Sequence, residues 1–552
     1  MEQIKVYCLN LGHDLTVDGG VSLAEIASGL DLGFTPVCAR VNNKTEGMHF
    51  CLYQPKTIEF LDAESPSGAR AYVRSACMML YRAVSRVVPE ARLYIQHSIS
   101  RGYYCTLNTA EGYLRPDEAL LQRVKDEMRR LVDARLPFVH HEDRTEKVIE
   151  LFESQGRHDT AMMLATLHTL YTTYYSLDGV FDSYNGTLVP HTGLLTSFDL
   201  RPYHKGFLLL TGKAASQPTE PQEKMYHAFT DYVEFNTILG VRNAGEMNNI
   251  VQHKRAADLI NVAEALHNKF LAKIADDITA RYKQGGARIV LIAGPSSSGK
   301  TTTTKRLAIQ LMTNLLKPQM ISLDNYFVNR EQTPRDADGD YDYESLYALD
   351  LEQFNSDLRR ILAGEEVAMP TYNFELGRRE YRGDTLRLEP GSILLIEGIH
   401  GLNPDLTSQI QEEMKFRVYV SALTTLTIDS HNWVPTTDNR LLRRIIRDYK
   451  YRGTSAAETI RRWPSVRRGE ERWIFPYQEN ADAMFNSSLL FELGVMRKYA
   501  EHILLDVKSD QPEYSEAYRL RRFLEYFDRI PDEFIPPTSL LREFLGGSSF
   551  HY

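Results

Sequence analysis

Short runs of alternating apolar and polar residues fill the first 62 positions and predict small β-strands. KVYCLNL, PVCARVNN and KTIEFLD show this pattern, whereas LAEIASGL has the spacing of a short helix. The stretch Asp18-Gly19-Gly20 separates two such segments and predicts a hairpin turn. We therefore expect a small module of strands around one helix, which ends at the linker AESPSGAR.

Longer helical periods appear after this linker. Helices are predicted over residues 69–91, 116–135 and 145–155, and the runs LYIQHSI and YYCTL are strand-like. The polar segment KAASQPTEPQEK, residues 213–224, carries two prolines and predicts a domain boundary. Residues 63–212 are therefore expected to form a domain of mixed α and β structure.

A helical connector is predicted over residues 213–286. Apolar residues recur there at intervals of three or four, which places them on one face of a helix that packs on a core and ends near Gly285-Gly286. They are Leu259, Val262, Leu266, Phe270, Ile274 and Ile278.

Length and composition indicate a multidomain globular protein. A chain of 552 residues exceeds what one hydrophobic core organises, so three or four domains are expected. The net charge of -9 argues against a surface built as a whole to hold nucleic acid, because phosphate binding needs clustered Lys and Arg. A local basic site remains compatible with this balance.

The cysteines and the apolar runs indicate a cytoplasmic location. The five cysteines contain no CxxC pair and are expected to be reduced thiols. No signal peptide is recognisable, and no window has the roughly 18 consecutive apolar residues of a membrane span.

A phosphate-binding loop is predicted after the connector. The apolar strand RIVLIA precedes GPSSSGKT, and an amphipathic helix follows, so GxxxxGK[ST] stands in its required context. Lys300 is expected to reach the β- and γ-phosphate oxygens of ATP or GTP, and Thr301 to hold Mg²⁺. The nucleotide-binding residues are Gly294, Pro295, Ser296, Ser297, Ser298, Gly299, Lys300, Thr301 and Thr302.

Two acidic residues follow the next apolar strands. Asp324 ends MISLD, at the sheet edge where ligands bind in parallel α/β folds, and is placed to accept a proton from an attacking hydroxyl. A helix N-cap is the alternative reading of this residue. Glu397 ends SILLIE, at a position suited to Mg²⁺ or its water.

An arginine-rich helix, RLLRRIIRDYKYRG, lies further along the chain. Arg440, Arg444 and Arg447 recur at steps of four and three. A solvated basic face is one interpretation. In a phosphoryl-transfer enzyme, the same residues favour a lid that closes over the phosphates.

Residues 287 to 510 resemble the uridine kinase and phosphoribulokinase family, on GPSSSGKTT, SLDNYF, YDYESLYALD, MPTYNF, LLIEGIHGL and RRIIRDYKYRG. The resemblance implies that Asp324 activates a ribose 5′-hydroxyl, with Lys300, Arg447 and Arg452 completing the catalytic set. It also implies that Glu344 binds sugar hydroxyls. The family has an Asp at this position, so the side chain here is longer by one methylene. The remaining substrate-binding residues that it implies are Tyr372, Arg379 and Arg444.

Two departures from the family pattern bear on the substrate. Gly377 stands where the family has a His that contacts the pyrimidine, and Thr454 stands where it has an arginine that helps to bind the base. Because a site selects by hydrogen bonds that the wrong ligand leaves unpaired, both losses predict weaker discrimination among bases.

The first two hundred residues resemble other proteins. On DLTVDGGVSLAEIASGL and ARVNN, residues 1–62 are similar to a TGS domain, a β-grasp module. On RLYIQHSISRGYYCTL and GVFDSYNGTLVPHTGLLTSFDL, residues 69–212 are similar to the editing-type second domain of threonyl-tRNA synthetase. The active form of that domain has a cluster of His and Cys ligands; here the matching positions are Arg74, Met78, Tyr184 and Leu188. We therefore predict neither editing nor zinc binding in this region.

Together these features predict an α/β multidomain protein with a C-terminal P-loop kinase domain on a parallel sheet. The expected domains are 1–62 (TGS-like), 63–212 (degenerate synthetase-like), 213–286 (connector), 287–515 (kinase) and 516–552 (helical extension). The expected activity is transfer of the γ-phosphate of ATP or GTP to the 5′-hydroxyl of uridine or cytidine, with Mg²⁺, in a homo-oligomer.

Two alternatives to this activity stay open. One is a kinase of another small alcohol, such as a sugar phosphate or a modified nucleoside. The other is an RNA-binding regulatory protein, whose N-terminal half holds a tRNA-like ligand while the P-loop domain senses nucleotide.

Overall fold

The computed structural model describes residues 2–336 and 339–552, and it has the predicted α/β class. The described residues form twenty-two strands, arranged in several sheets, and fifteen α-helices, and the chain has several separate hydrophobic cores. No helix within these residues combines the length and the apolar character needed to cross a membrane.

The N-terminal module is a five-stranded sheet with one helix on it. Its elements are β1 (Gln3–Cys8), β2 (His13–Asp18), β3 (Val21–Ser22), α1 (Leu23–Ser28), β4 (Cys38–Val41), β5 (Lys44–Glu46), β6 (Cys51–Leu52) and β7 (Thr57–Leu61). The sheet order is β2-β1-β7-β4-β5, and Val6, Ile26 and Phe60 lie in its core.

The hairpin predicted at Asp18-Gly19-Gly20 is wrong. Strand β2 pairs with β1, whereas β3 pairs with β6. Gly20 has a φ of 92° and donates its N–H to the Leu52 carbonyl at 2.6 Å. The two glycines therefore let the chain leave the sheet instead of folding back on β2.

The second region contains two antiparallel sheets and four helices. Its elements are α2 (Pro66–Val87), β8 (Arg92–Ile99), β9 (Gly102–Thr109), β10 (Gly112–Leu114), α3 (Glu118–Ala134), β11 (Val139–Arg144), α4 (Thr145–Ser154), α5 (His158–Leu167), β12 (Tyr171–Leu177), β13 (Val180–Asp182), β14 (Phe198–Tyr203) and β15 (Gly206–Thr211). One sheet has the order β10-β9-β15-β14 with β8 beside β9, and the other has the order β11-β12-β13.

The connector consists of α6 (Glu223–Leu239), α7 (Ala244–Gln252) and α8 (Ala256–Lys283). On α8 the buried face includes Ile260 and Ala263, whereas the predicted core residue Val262 is 40% exposed. Leu259, Ile274 and Ile278 are buried as predicted, so the predicted face is confirmed except at Val262. This helix shares one hydrophobic core with the domain that follows.

That domain has a five-stranded parallel sheet of order β17-β20-β16-β21-β22. Its strands and helices, with those of the C-terminal extension, are β16 (Ile289–Ala293), α9 (Lys300–Thr313), β17 (Lys317–Ser322), α10 (Leu351–Leu362), β18 (Val367–Asn373), β19 (Arg378–Leu386), β20 (Ser392–Glu397), β21 (Lys415–Ser421), α11 (Thr436–Arg452), α12 (Ala456–Trp473), β22 (Ala483–Asn486), α13 (Glu492–Leu505), α14 (Tyr514–Leu524) and α15 (Arg542–Leu545). The central strand β16 is fully buried, as its continuous apolar run predicts.

A buried polar network joins the second region to this domain. Asp182 accepts hydrogen bonds from Arg157 at 2.9 Å and Tyr184 at 2.8 Å, and it also contacts the His431 ring at 2.6 Å. Desolvation raises the pKa of Asp182, but the charges of Arg157 and His431 outweigh it and hold the pKa below its usual range. The ionised carboxylate thus holds the loop that contains His431 against the N-terminal half.

Loss of the Asp182 charge is expected to destabilise the fold. Asp182→Asn leaves Arg157 buried without its main counter-charge, so the free energy of unfolding should fall by at least about 2 kcal/mol. Asp178→Asn is the matched control, since Asp178 pairs with Arg82 and Arg86 near the surface and should cost less than about 1 kcal/mol. Urea unfolding followed by circular dichroism measures both; equal losses would contradict this role.

Candidate active site

The loop after β16 has the backbone of a phosphate cradle. A Cβ at Gly294 would lie 1.9 Å from the Val420 carbonyl oxygen, and Gly299 has a φ of 81° at the N-terminus of α9. Both positions therefore require glycine. The first-turn N–H groups of α9, from Lys300 onward, have no acceptors within the helix, which makes this end an anion site.

Two buried arginines of α11 donate hydrogen bonds to carbonyl groups of the loop. Arg440 donates to the Ser296 carbonyl at 3.0 Å, and Arg443 donates to the Ser297 carbonyl at 3.4 Å. Arg440 is paired with Glu470 and Arg443 with Glu492. Arg440 is 1% exposed, so its prediction as a lid residue is wrong: the carboxylate of α12 and the loop carbonyl use its donors.

The predicted base, Asp324, lies just past β17 in the turn Leu323–Tyr326. Its side chain is exposed at the cleft, yet the surrounding protein raises the pKa of its carboxyl by desolvation. The charges of Lys300, Arg452 and Arg447 oppose this shift. The structure thus brings these cations to the predicted base.

The predicted metal ligands are neighbours. Glu397 pairs with Ile292 of β16 and Ser322 of β17, and its carboxylate accepts a hydrogen bond from Thr301 Oγ1 at 3.1 Å. Desolvation, opposed by Lys300, raises the pKa of Glu397 to about 7. A hydroxyl oxygen beside a carboxylate is the donor set that Mg²⁺ prefers, so these two residues fit that ion.

Glu344 and Arg444 also face this site. Desolvation raises the pKa of Glu344 to about 7; Glu470 adds to the shift, while Arg444 and Lys300 oppose it. Arg444 donates to Ser296 Oγ at 2.8 Å and pairs with Asp448. Asp448 also pairs with Arg447 at 3.1 Å and Arg452 at 3.3 Å, and so orients the three arginines of α11 that remain near the cleft.

An aromatic wall stands beside Asp324. Tyr372 is largely buried and meets Phe327 and Phe374 edge-on, with ring centroids 5.6 and 5.0 Å away. Its backbone N–H donates to Asn325 at 3.3 Å, which fixes the wall next to the turn that carries Asp324. Arg379, directly opposite Tyr372 on β19, forms an ion pair with Asp350 at 2.7 Å.

The surroundings of the two departures in the predicted base-binding residues differ. Gly377 has a φ of 66°, and a Cβ there would lie 2.7 Å from Arg330 Nε. The Arg330 guanidinium thus occupies the space that a side chain at 377 would need. Thr454 follows the left-handed Gly453 that ends α11, and its N–H donates to the Asp448 carbonyl.

Two carboxylates from distant parts of the chain reach the cradle. Glu470 accepts the Ser296 N–H at 3.0 Å. Glu543 of α15 accepts hydrogen bonds from the Thr302 N–H at 3.2 Å and from the Thr302 hydroxyl at 2.6 Å. The Tyr552 hydroxyl lies 2.8 Å from Thr302 Oγ1. No local motif predicts either contact, because the partners lie more than 170 residues apart in sequence.

The positions expected to have lost metal ligands form part of an ordinary core and a cavity wall. Met78 and Leu188 are buried, and Tyr184 donates to Asp182. Arg74 donates twice to the Thr187 carbonyl. Within residues 2–336 and 339–552, no group of three or more His, Cys, Asp or Glu side chains is arranged to hold a metal ion.

The parallel sheet, the cradle at its central strand and the acids at its carboxyl edge define a P-loop kinase, which is a phosphotransferase. The family described as "Phosphoribulokinase / Uridine kinase family" matches residues 289–489, and this part of the chain is a domain of that family.

Individual relatives match this chain in part. The uridine kinase of Deinococcus deserti is 27% identical over 197 residues, covering 36% of this chain and 86% of that kinase. The threonine–tRNA ligase of Fusobacterium nucleatum is 26% identical over 181 residues, covering 32% of this chain and 29% of the ligase. A solved structure described as a possible uridine kinase from Bacillus stearothermophilus has a TM-score of 0.26 and 20% identity, covering 39% of this chain and 97% of that chain.

Removal of the Glu543 charge is expected to strengthen nucleotide binding. Its carboxylate uses an N–H of the anion site, so a phosphate must displace it and tolerate its charge. Glu543→Gln should therefore lower the dissociation constant for ATP by at least about fivefold. Titration with a fluorescent ATP analogue measures this change.

Glu533→Gln is the matched control, because Glu533 is exposed in the same C-terminal segment and its change should leave the affinity as it is. An unchanged or weaker affinity in Glu543→Gln would show that Glu543 does not compete with phosphate.

Proposed function

We propose that this protein is a nucleoside kinase that transfers the γ-phosphate of ATP or GTP to the 5′-hydroxyl of a ribonucleoside. The proposed acceptor is uridine or cytidine. One observation carries the proposal: Asp324 lies at the carboxyl edge of the sheet, within the field of Lys300, Arg447 and Arg452. A phosphate-binding lysine on one side and a carboxylate on the other suit a sugar alcohol held between them.

In the proposed reaction Asp324 accepts the proton of the attacking hydroxyl as that oxygen bonds to the γ-phosphorus. The bond from phosphorus to the bridging oxygen breaks, and the nucleoside diphosphate leaves. Lys300, Arg447 and Arg452 stabilise the charge of the phosphoryl group in transfer. Mg²⁺, held by Thr301 and Glu397, would neutralise phosphate charge when bound.

Glu344, Arg444 and Tyr372 are assigned to the acceptor. A carboxylate accepts two hydroxyl hydrogen bonds, which suits the 2′- and 3′-hydroxyls of ribose. Arg444 supplies a positive charge beside Glu344. Tyr372, with Phe327 and Phe374 around it, offers an apolar face to a flat base. Arg379 is a positioning residue in this proposal, because Asp350 holds its guanidinium.

A second candidate, a kinase of another small alcohol, is favoured by the Arg330 guanidinium beside Gly377. An arginine has donors only, whereas a neutral histidine also accepts, so the hydrogen bonds offered at this place differ from those of the family's His. An acceptor with an anionic or acceptor-rich end would suit Arg330.

The N-terminal half is proposed to be a TGS-like domain followed by a synthetase-like domain without hydrolytic activity. The partial likeness to a threonine–tRNA ligase supports this proposal. So does the chemistry at the former ligand positions, where Arg74, Met78, Tyr184 and Leu188 supply no imidazole or thiolate.

Asp324→Asn is expected to lower kcat for the best acceptor by about 10²- to 10⁴-fold while ATP still binds, because the amide cannot take the proton. The measurement is nucleotide release with a panel of uridine, cytidine, other nucleosides, sugars and sugar phosphates. Asp405→Asn, an exposed acid of the same domain, is the control and should keep full activity. Turnover with no nucleoside, or full activity in Asp324→Asn, would overturn the proposal.

The affinity for the acceptor should depend on pH through Glu344. The pKa of this carboxyl is raised to about 7, so the ionised form that accepts sugar hydroxyls predominates above pH 7 and is lost below it. KM for the nucleoside, at saturating ATP and Mg²⁺, should therefore rise as the pH falls from 8 to 6. Glu344→Gln should flatten this profile and Glu344→Asp should keep a pH dependence; an unchanged profile in Glu344→Gln would contradict the assignment.

A further inference from the structure

A large cavity lies far from the phosphate cradle in sequence, at the junction of three parts of the chain. Its volume is about 590 Å³, and its walls come from the TGS-like module, the synthetase-like region and the C-terminal helices α13 and α14. Cavities of roughly 300–1,000 Å³ between domains are typical sites for small molecules. Its position at this junction means that a ligand there would contact all three parts.

One arginine in the wall lacks a counter-charge. Arg74 on α2 donates from Nε and Nη2 to the Thr187 carbonyl at 3.1 and 2.9 Å, and it forms no ion pair with any residue in 2–336 or 339–552. By contrast, Arg70, Arg519 and Arg522 of the same cavity are paired with Glu516, Asp438 and Glu525.

The position of Arg74 makes its charge costly without a ligand. Burial, followed by the charges of Arg70 and Arg519, lowers its pKa to about 10. Arg74 is half-buried, and a guanidinium largely withdrawn from water is normally paired, since an isolated charge is unfavourable there. The glycine at position 186, with a φ of 126°, leaves room for the Arg74 side chain, because a Cβ there would lie 2.8 Å from Arg74 Nη2.

Flat neutral rings line another wall of the cavity. His49 and His140 are stacked with centroids 4.3 Å apart, and Tyr175 meets both edge-on. Burial, with the neighbouring His140, lowers the pKa of His49 to about 4, so this ring is neutral near pH 7. Neutral imidazoles both donate and accept hydrogen bonds, which suits a polar ligand body.

We propose that this cavity is a second ligand site, which binds a small molecule with a phosphate or carboxylate group on a polar body, and that Arg74 is the residue that pairs with that anionic group. The uncompensated guanidinium selects the anion, and the cavity is too large for an inorganic anion alone. The hydroxyls and neutral rings around it contact the rest of the molecule. This site is separate from the P-loop and does not depend on the kinase proposal.

Isothermal titration calorimetry of the full chain tests the proposal with two probes, ribose 5-phosphate for the phosphate arm and citrate for the carboxylate arm. At least one probe should bind, with a dissociation constant at least tenfold higher in Arg74→Gln than in the unmodified protein. Lys300→Gln should keep this binding, which separates it from binding at the P-loop.

A second variant guards against a folding defect in Arg74→Gln. Thr173 lines the cavity and is exposed to solvent, so Thr173→Glu should fold and weaken the same probe by charge repulsion, whereas Thr173→Gln should not. The proposal would be overturned if Arg74→Gln and Thr173→Glu bound the probe with the same affinity as the unmodified protein. It would also be overturned if the unmodified protein bound neither probe.

Discussion

The nucleotide cradle depends on two buried arginine–carboxylate pairs behind it. A P-loop aims its N–H groups at the ligand, so its carbonyl groups point away and need donors on the far side. Arg440 and Arg443 are those donors, and Glu470 and Glu492 fix their guanidinium groups. Helices α11, α12 and α13 therefore determine the conformation of a loop to which they are not adjacent in sequence.

Charged groups brought together from distant parts of the chain also determine the electrostatics of the site. Asp324, Glu344 and Glu397 converge at one edge of the sheet, and desolvation by the surrounding protein raises the pKa of each. Their charges disfavour one another, so the site without ligands is held together by Lys300 and by the arginines of α11. A bound cation and the phosphates that accompany it would complete this balance, which is why acids and bases are both concentrated there.

The sequence predicts features whose signal is local and misses those that need distant partners. The P-loop and its buried strand follow from one contiguous pattern, and the place of Asp324 just past β17 follows from a second apolar run; the family match over residues 289–489 spans both. Arg440 has the same spacing in the sequence as Arg444 and Arg447, and only the position of α12 shows that Glu470 uses its donors. Glu543 reaches the cradle through a C-terminal segment with no recognisable motif. The hairpin prediction failed because a glycine pair permits a turn without fixing which strands pair.

Helix α14 links the two halves of the molecule, because its side chains form ion pairs with residues of both α2 and α11. Arg519 forms a bidentate pair with Asp438, at the start of α11, with distances of 2.6 and 2.8 Å, and it also pairs with Glu516. Glu516 in turn pairs with Arg70 of α2, in the second region of the chain. The wall of the large cavity and the helix that holds the phosphate loop are thus joined by a chain of partly exposed ion pairs. Such contiguous polar contacts are a physical route by which two sites influence each other, provided that the joining helix has two arrangements. The N-terminal half is therefore joined by ion pairs to α11, the helix that also carries the arginines of the candidate site.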